Sequence, residues 1–269
     1  MYTEPLISII TVVYNNVETL ELTIQSVINQ PYKNLEYIII DGGSNDGTVD
    51  IIKKYEQRIN YWVSEPDNGI YDAMNKGITA SKGDVIGLLN SGDTYEGNAF
   101  QLMANNFNRE NKHCVYYGDV YLNYLDMNIK MKTIAVLQNI QYAMAISHQA
   151  MFISRDIYLD YGQYDLKYKY AADYAYVLNL FLKKVQFKYL GDVVACFATG
   201  GTSDEKILIS RFECVKAHFK SKSPKRFSAI LFYTRQVAHQ YAYNIMISIF
   251  GKKKAADLRK ARLLLKRSN

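Results

Sequence analysis

The feature that most constrains this chain is a repeated beat: uninterrupted apolar, β-branched runs, each ending in a polar, turn-rich cluster. Residues 6–13 (LISIITVV), 35–40 (LEYIII) and 84–89 (DVIGLL) are such runs. A half-exposed strand alternates polar and apolar residues, so runs this apolar read as strands buried on both faces of a parallel sheet. The segments between them have helical period. Leu20, Ile24, Val27 and Ile28 share one helix face, and Asn15, with Glu18 three residues on, is expected to cap that helix. A second helix is expected over 48–57, a short strand over 60–64 and a third helix ending near Ala80. Alternation at this spacing implies right-handed crossovers and a doubly wound, mostly parallel α/β sheet with helices on both faces. After Asn90 the rhythm changes to a helix near 99–107 and shorter strands over 115–121, 128–134 and 149–153, which reads as a mixed second half. Ligands of such sheets sit at the carboxyl ends of the strands, so the polar clusters after Val13, Ile40, Ser64 and Leu89 are expected to converge on one crevice.

Length and charge bound the rest. With 269 residues, 49% of them hydrophobic, the chain can bury a core that needs no disulfide or structural metal. Cys114, Cys196 and Cys214 are widely spaced and odd in number, which fits reduced thiols better than a disulfide framework or a zinc site. No basic leader precedes the first apolar run, so a cytoplasmic location is expected. Charge is divided unevenly: residues 205–269 hold 16 Lys+Arg against 3 Asp+Glu, net +13, which leaves −7 on residues 1–204. The expected organisation is therefore a main domain over 1–204 and a basic, helical extension over 205–269. In that extension Ile230, Val237, Ala238, Tyr241, Ala242, Ile245, Met246, Ile249 and Phe250 form an apolar stripe opposed by Arg235, Gln236, His239, Gln240 and Asn244. The stripe is too interrupted to span a bilayer. With Lys252, Lys253 and Lys254 behind it, it could lie in the interface of an anionic leaflet, or it could pack on the core with a solvated basic end. The 24 tyrosines are scattered without a base-stacking pattern, so no nucleic-acid partner is expected.

Chemistry is expected from the strand-end acids. Asp41 closes a buried strand, where it could meet a ligand or organise the Gly42-Gly43 turn. Asp93, in the cluster Asn90-Ser91-Gly92-Asp93, could hold Mg²⁺ or Mn²⁺ against a pyrophosphate, or could also be a turn residue. Residues 65–77 (EPDNGIYDAMNKG) place acids, an amide and a lysine around a loop and a helix start, a natural place to meet a ligand. His148, in Ser147-His148-Gln149 ahead of an apolar strand, is the histidine placed to face the crevice; His113, His218 and His239 are dispersed. No phosphate-loop, dinucleotide-binding or nucleophile-elbow motif is present.

The order VVYNN, IIIDGGSNDGT, SEPDNGIYDAMNKGI, GDVIGLLNSGD and AADYAYVL resembles family 2 glycosyltransferases of the GT-A fold, in particular bacterial enzymes of polysaccharide assembly. The resemblance covers roughly residues 6–200, and five motifs in family order are far more specific than any one. It implies an inverting transfer of sugar from a nucleotide-sugar to an acceptor, with Thr11, Tyr14, Asn15 and Asp41 holding the nucleotide and Asp41 bonding the base. It implies Asp93 as ligand to Mn²⁺ or Mg²⁺, although Gly92 stands where the family commonly has a second acid. It also implies Asp173 as catalytic base, although Ala172 replaces the usual preceding acid. Asp67, Gly69, Asn75 and Asn90 would line the nucleotide-sugar, and His148 and Gln149 the acceptor side. A UDP-sugar is the favoured donor, through Asp41, and a lipid-linked saccharide the expected acceptor, through the basic tail. Two other classes remain: a nucleotidyltransferase, which would want a Gly-rich basic loop that residues 12–18 lack, and a scaffold that binds donor without turnover.

Overall fold

A computed structural model describes residues 4–124, 129–198 and 206–251. The first half follows the expected beat. Strand β1 (Ile7–Val13) leads to α1 (Leu20–Ile28), β2 (Leu35–Asp41), α2 (Thr48–Lys54), β3 (Tyr61–Ser64), α3 (Ile70–Ala80) and β4 (Val85–Asn90). These four strands are parallel in the order β3-β2-β1-β4. Register aligns their ends: Val13 pairs with Asp41, Asp41 with Ser64, and Val12 with Asn90. The polar clusters that follow these strands therefore rise from one edge of the sheet.

The continuous apolar runs are explained by helices on both faces. Ile10, Val12, Ile38 and Ile40 belong to one core with Met74 and Ile78 of α3, while Ile7, Ile9, Ile39 and Leu89 belong to another with Leu20 and Ile24 of α1. Each such side chain removed from water is worth about 1.5–3 kcal/mol, so a polar substitution on either face of β1 would unseat a helix.

The second half is mixed, as the changed rhythm after Asn90 suggested. It comprises β5 (Thr94–Tyr95), α4 (Ala99–Asn106), β6 (Cys114–Tyr124), β7 (Ile129–Thr133), β8 (Met151–Ser154), α5 (Arg155–Tyr161), α6 (Ala172–Leu182) and β9 (Gln186–Ala198). The sheet continues from β4 through β8, β6, β9 and β5, with β7 on β6; β8 is antiparallel to both β4 and β6, whereas β9 runs parallel to β6. Parallel pairing thus dominates only among the first four strands. The strand expected over 149–153 begins at Met151, because residues His148–Ala150 form a short 3-10 turn that dominates the site described below.

Two helices close the described chain, α7 (Ile207–Lys220) and α8 (Arg226–Phe250). The beginning of the basic extension is built into the core: Cys214, Ala217, Ala229 and Tyr233 share a cluster with α6. Within α8 itself only Ala229 and Tyr233 are buried. The expected boundary at 204/205 and Lys252, Lys253 and Lys254 lie outside the described residues. Among the described residues no helix is long and apolar enough to cross a membrane.

Candidate active site

The two carboxylates expected on the nucleotide side differ sharply. Asp41 is fully buried. Its Oδ2 accepts hydrogen bonds from Gly43 N (3.1 Å), Ser44 N (2.9 Å) and Ser64 Oγ (2.6 Å), and its Oδ1 accepts a short one from Ser44 Oγ. That is the work of a turn organiser, and it occupies the lone pairs that a base would need. Asp67 lies directly over the same turn. A Cβ built on Gly42 would come 2.6 Å from Asp67 Oδ2 and 3.3 Å from the Tyr14 ring, so the absence of a side chain at 42 makes the room that Asp67 fills. Tyr14 is 64% exposed, an open ring beside a carboxylate. Asp67 Oδ1 accepts from Gly69 N at 2.8 Å, which fixes the loop that enters α3.

Other expected contacts prove structural. Thr11 is fully buried, its hydroxyl 3.0 Å from the Tyr37 phenol, within the core under α1. Asn15 does not cap α1. It has φ 46°, and its side chain accepts from Asn45 N at 2.9 Å, while Ser44 Oγ accepts from its backbone N–H. The helix starts at Leu20 with no side-chain cap. Asn15 was a plausible cap by spacing, but a left-handed residue turned toward a neighbouring loop cannot reach α1. Asn75 clamps the chain entering α6: its Nδ2 donates to Tyr164 O and its Oδ1 accepts from Tyr164 N, at 2.9 and 3.0 Å.

Asp93 and Asp173 are tied to one short turn. Asp93 follows β4 through Gly92, whose φ of +98° suits glycine and strains any other residue. This explains the missing second acid: a side chain at 92 would carry backbone strain and press on Thr19 Oγ1 at 3.2 Å. The Asp93 carboxylate is 8% exposed, and its Oδ2 accepts from Gln149 Nε2 at 2.9 Å. Gln149 therefore bonds to Asp93. Its neighbour His148 reaches the other way: Nδ1 lies 3.3 Å from Asp173 Oδ2, and Nε2 lies 3.2 Å from Asn90 Nδ2.

Asp173 stands in the first turn of α6, 17% exposed. Its Oδ1 accepts from Tyr71 Oη (2.9 Å) and Tyr174 N (2.8 Å). Burial alone would raise its pKa, but the His148 contact, the Tyr71 hydroxyl and the Tyr174 N–H outweigh that and hold the group below the ordinary aspartate value. Asp173 is therefore an ionised carboxylate at neutral pH. Tyr71, raised well above 10 by burial and by Asp173, is a neutral donor to it. Tyr71 was not foreseen. It lies 102 residues from Asp173, and only the packing of α3 beside α6 brings them together.

A further unforeseen residue holds the entry to α6 from the extension. Glu213 of α7, 7% exposed, accepts from Lys169 N, Tyr170 N and Ala171 N, at 2.8, 2.8 and 3.0 Å, and so captures the backbone immediately before α6.

The sequence matches the profile described as "Glycosyl transferase family 2" over residues 8–159. The chain belongs to glycosyl transferase family 2. Over 183 residues this family 2 chain is 33% identical to an uncharacterized glycosyltransferase of Mycobacterium tuberculosis, covering 66% of this chain and 70% of the relative. Over 213 residues it is 27% identical to a PGL/p-HBAD biosynthesis glycosyltransferase of Mycobacterium bovis, covering 77% and 82%. Its fold is that of the S. aureus TarS 1-349 fragment solved with UDP, with TM-score 0.61 and 17% identity over 78% of this chain. The chain spans 64% of that fragment. It is likewise that of the mannosyltransferase PcManGT from Pyrobaculum calidifontis in complex with GDP-Man and Mn²⁺, with TM-score 0.60 and 14% identity over 98% of this chain. The GT-A architecture expected from the sequence motifs is thereby shown for this family 2 glycosyltransferase.

Proposed function

We propose that this glycosyltransferase catalyses an inverting transfer of a sugar from a nucleotide-sugar, with a UDP-sugar favoured, to a lipid-linked acceptor, with Asp173 as the base. The observation that carries the reading is the ionised, hydrogen-bonded Asp173 carboxylate, held by His148 while the next residue of the same turn holds Asp93. In this scheme Asp173 takes the proton of the acceptor hydroxyl as its oxygen attacks the anomeric carbon. The bond to the nucleoside diphosphate breaks on the opposite face, its electron pair leaves with the phosphate oxygen, and the anomeric centre inverts. Tyr14 and Asp67 bracket a position for the base and ribose.

The residues present fit a divalent cation shared with the donor. Asp93 offers one carboxylate oriented by Gln149, and a cation such as Mg²⁺ or Mn²⁺ commonly combines one or two protein carboxylates with substrate phosphates and water. When bound, such an ion would neutralise charge developing on the departing diphosphate. The Mn²⁺ and GDP-Man of the Pyrobaculum neighbour and the UDP of the TarS fragment support a nucleotide-sugar donor and a metal, while the base is argued from residues 14, 42 and 67 of this chain.

The acceptor reading rests on two surfaces. A cavity of about 180 Å³ is walled by Val120, Ile134, Val136 and Met144 together with the polar Thr133, Asn139 and Ser147, the last preceding His148 in the chain. In α8, Phe227, Leu231, Ile245 and Ile249 fall on one helix face and are exposed, with the basic tail following. An anionic leaflet at the cytoplasmic side of the membrane is the occupant proposed for that face.

The reading is tested by following nucleoside diphosphate release from UDP-, GDP- and dTDP-sugars with Mn²⁺ or Mg²⁺, for wild type and Asp173→Asn. Release from one donor, abolished by chelation and reduced by about 10²–10⁴ in Asp173→Asn with donor binding intact, is the expected result. Donor binding without release, even with a lipid extract supplied as acceptor, would instead favour a non-catalytic scaffold.

A further inference from the structure

We propose that His148 is a positioning residue for Asp173, and that the His148–Gln149 dipeptide sets the distance between the base and the diphosphate-side acid. The inference rests on the transferase reading above and deepens it.

An ionised carboxylate offers about four lone-pair positions, two on each oxygen. On Asp173, Oδ1 already accepts from Tyr71 Oη and Tyr174 N. That leaves Oδ2, the oxygen that faces His148 Nδ1 at 3.3 Å, as the less occupied side for the acceptor hydroxyl. The imidazole occupies one side of Oδ2 and directs the remaining lone pair to a single approach.

The ring itself is fixed from behind. Asn90 Nδ2 stands 3.2 Å from Nε2; with Nε2 as the acceptor of that pair, the ring proton sits on Nδ1, aimed at Asp173. Asn90 ends β4 and Asp93 lies three residues on. The 3-10 turn His148–Ala150 thus touches both carboxylates through adjacent side chains, His148 on Asp173 and Gln149 on Asp93. Displacement at an anomeric carbon needs the base on one face and the leaving phosphate on the other, and misplacing either group is costly in rate. A rigid turn gripping both acids meets that requirement.

Two substitutions separate this role from general support of the fold. In H148N the amide nitrogen occupies the place of Nδ1 and can still donate to Asp173. In H148Q it occupies the place of Nε2 and faces Asn90 instead. Donor and lipid-acceptor kinetics are measured for wild type, H148N, H148Q and D173N, alongside thermal melting and nucleoside diphosphate affinity.

The expected result is a kcat about 10–100-fold lower in H148Q at unchanged donor KM, with H148N recovering most of that loss. The acid limb of kcat/KM should also move to higher pH in H148Q and not in H148N, since a donor to the carboxylate has been lost. The other titratable groups around Asp173 are Tyr71, Tyr164 and Cys214, all pushed upward by burial and neutral near that limb. Equal losses in H148N and H148Q, a loss confined to donor KM, or an unmoved acid limb would each overturn the proposal while D173N stayed inactive. Wild-type turnover by D173N would instead bring down the base assignment on which the proposal stands.

Discussion

At the scale of the residue, Asp41 and Asp67 allow fold and the proposed recognition to be tested apart. Asp41 receives two backbone N–H groups and two hydroxyls, so Asp41→Asn removes the charge these four donors share and turns its NH2 toward at least one of them. Losing hydrogen bonds to a buried charge costs about 1.5–3 kcal/mol. Thermal denaturation of Asp41→Asn should therefore show a drop of several degrees, at about 2–4 °C per kcal/mol for a chain of this size. Asp67→Asn keeps an oxygen for Gly69 N, so its melting temperature should stay close to wild type while donor KM rises. The reverse pattern would return base recognition to Asp41. His218 supplies a second test. Its Nε2 lies 2.8 Å from the Tyr174 hydroxyl, its Nδ1 is buried without a partner among the described residues, and burial lowers its pKa below 6.5. The folded state then resists a proton that the unfolded state accepts. His218 therefore contributes stability that is complete above about pH 6.5 and falls as pH drops toward the folded value. Melting temperatures taken from pH 7.5 down to 5 should fall less steeply in His218→Gln than in wild type.

At the scale of the element, α7 controls α6. Glu213 receives the three N–H groups of Lys169, Tyr170 and Ala171, and Asp173 follows two residues later. Glu213→Gln weakens three charge-assisted bonds at once and is expected to cost about 1.5–3 kcal/mol in thermal melts. It should also lower nucleoside diphosphate release, because the entry to α6 aims the base. Full activity in a destabilised Glu213→Gln would show that the entry to α6 tolerates movement. Helices α1 to α4 were legible from local pattern, and β1, β2 and β4 from uninterrupted apolar runs, whereas α5 was not foreseen. Strand β9 was not, since its 13 residues (QFKYLGDVVACFA) mix charge, glycine and apolar positions and are held by pairing with β6 and β5. The turn at His148 was read as the start of a strand, because a three-residue 3-10 segment leaves no periodic signature.

At the scale of the whole molecule, acidic and basic halves are joined by a common core. The strand-end crevice belongs to the part carrying −7, and α8 with its exposed stripe to the part carrying +13. Co-sedimentation with vesicles containing anionic lipid should be strong at low salt and weak near 0.5 M salt, given about 1 kcal/mol for each basic residue near the surface. Leu231, 76% exposed, and Phe227, 64% exposed, point outward from the same face. Replacing both by Ser should lower vesicle binding at least tenfold without changing the melting temperature, since neither is buried in the fold. Indifference to anionic vesicles at low salt would remove the membrane from the functional proposal.

The sequence alone marked the alternating strands and helices of its first half and the strand ends where polar residues gather, and, through resemblance to family motifs, pointed to Asp93 and Asp173 as candidate acids. Those follow from local period, from turn chemistry and from motifs that are contiguous in the chain. Only the tertiary structure decided which carboxylates remain for chemistry. Asp41 is saturated by Ser44 and Ser64, and Asp67 takes the space over Gly42. Asp173 is governed by Tyr71 from α3, His148 from a turn and, through the backbone, Glu213 from α7. Hydrogen bonds between residues tens of positions apart depend on how helices pack across the sheet, and no periodicity along the chain encodes that distance.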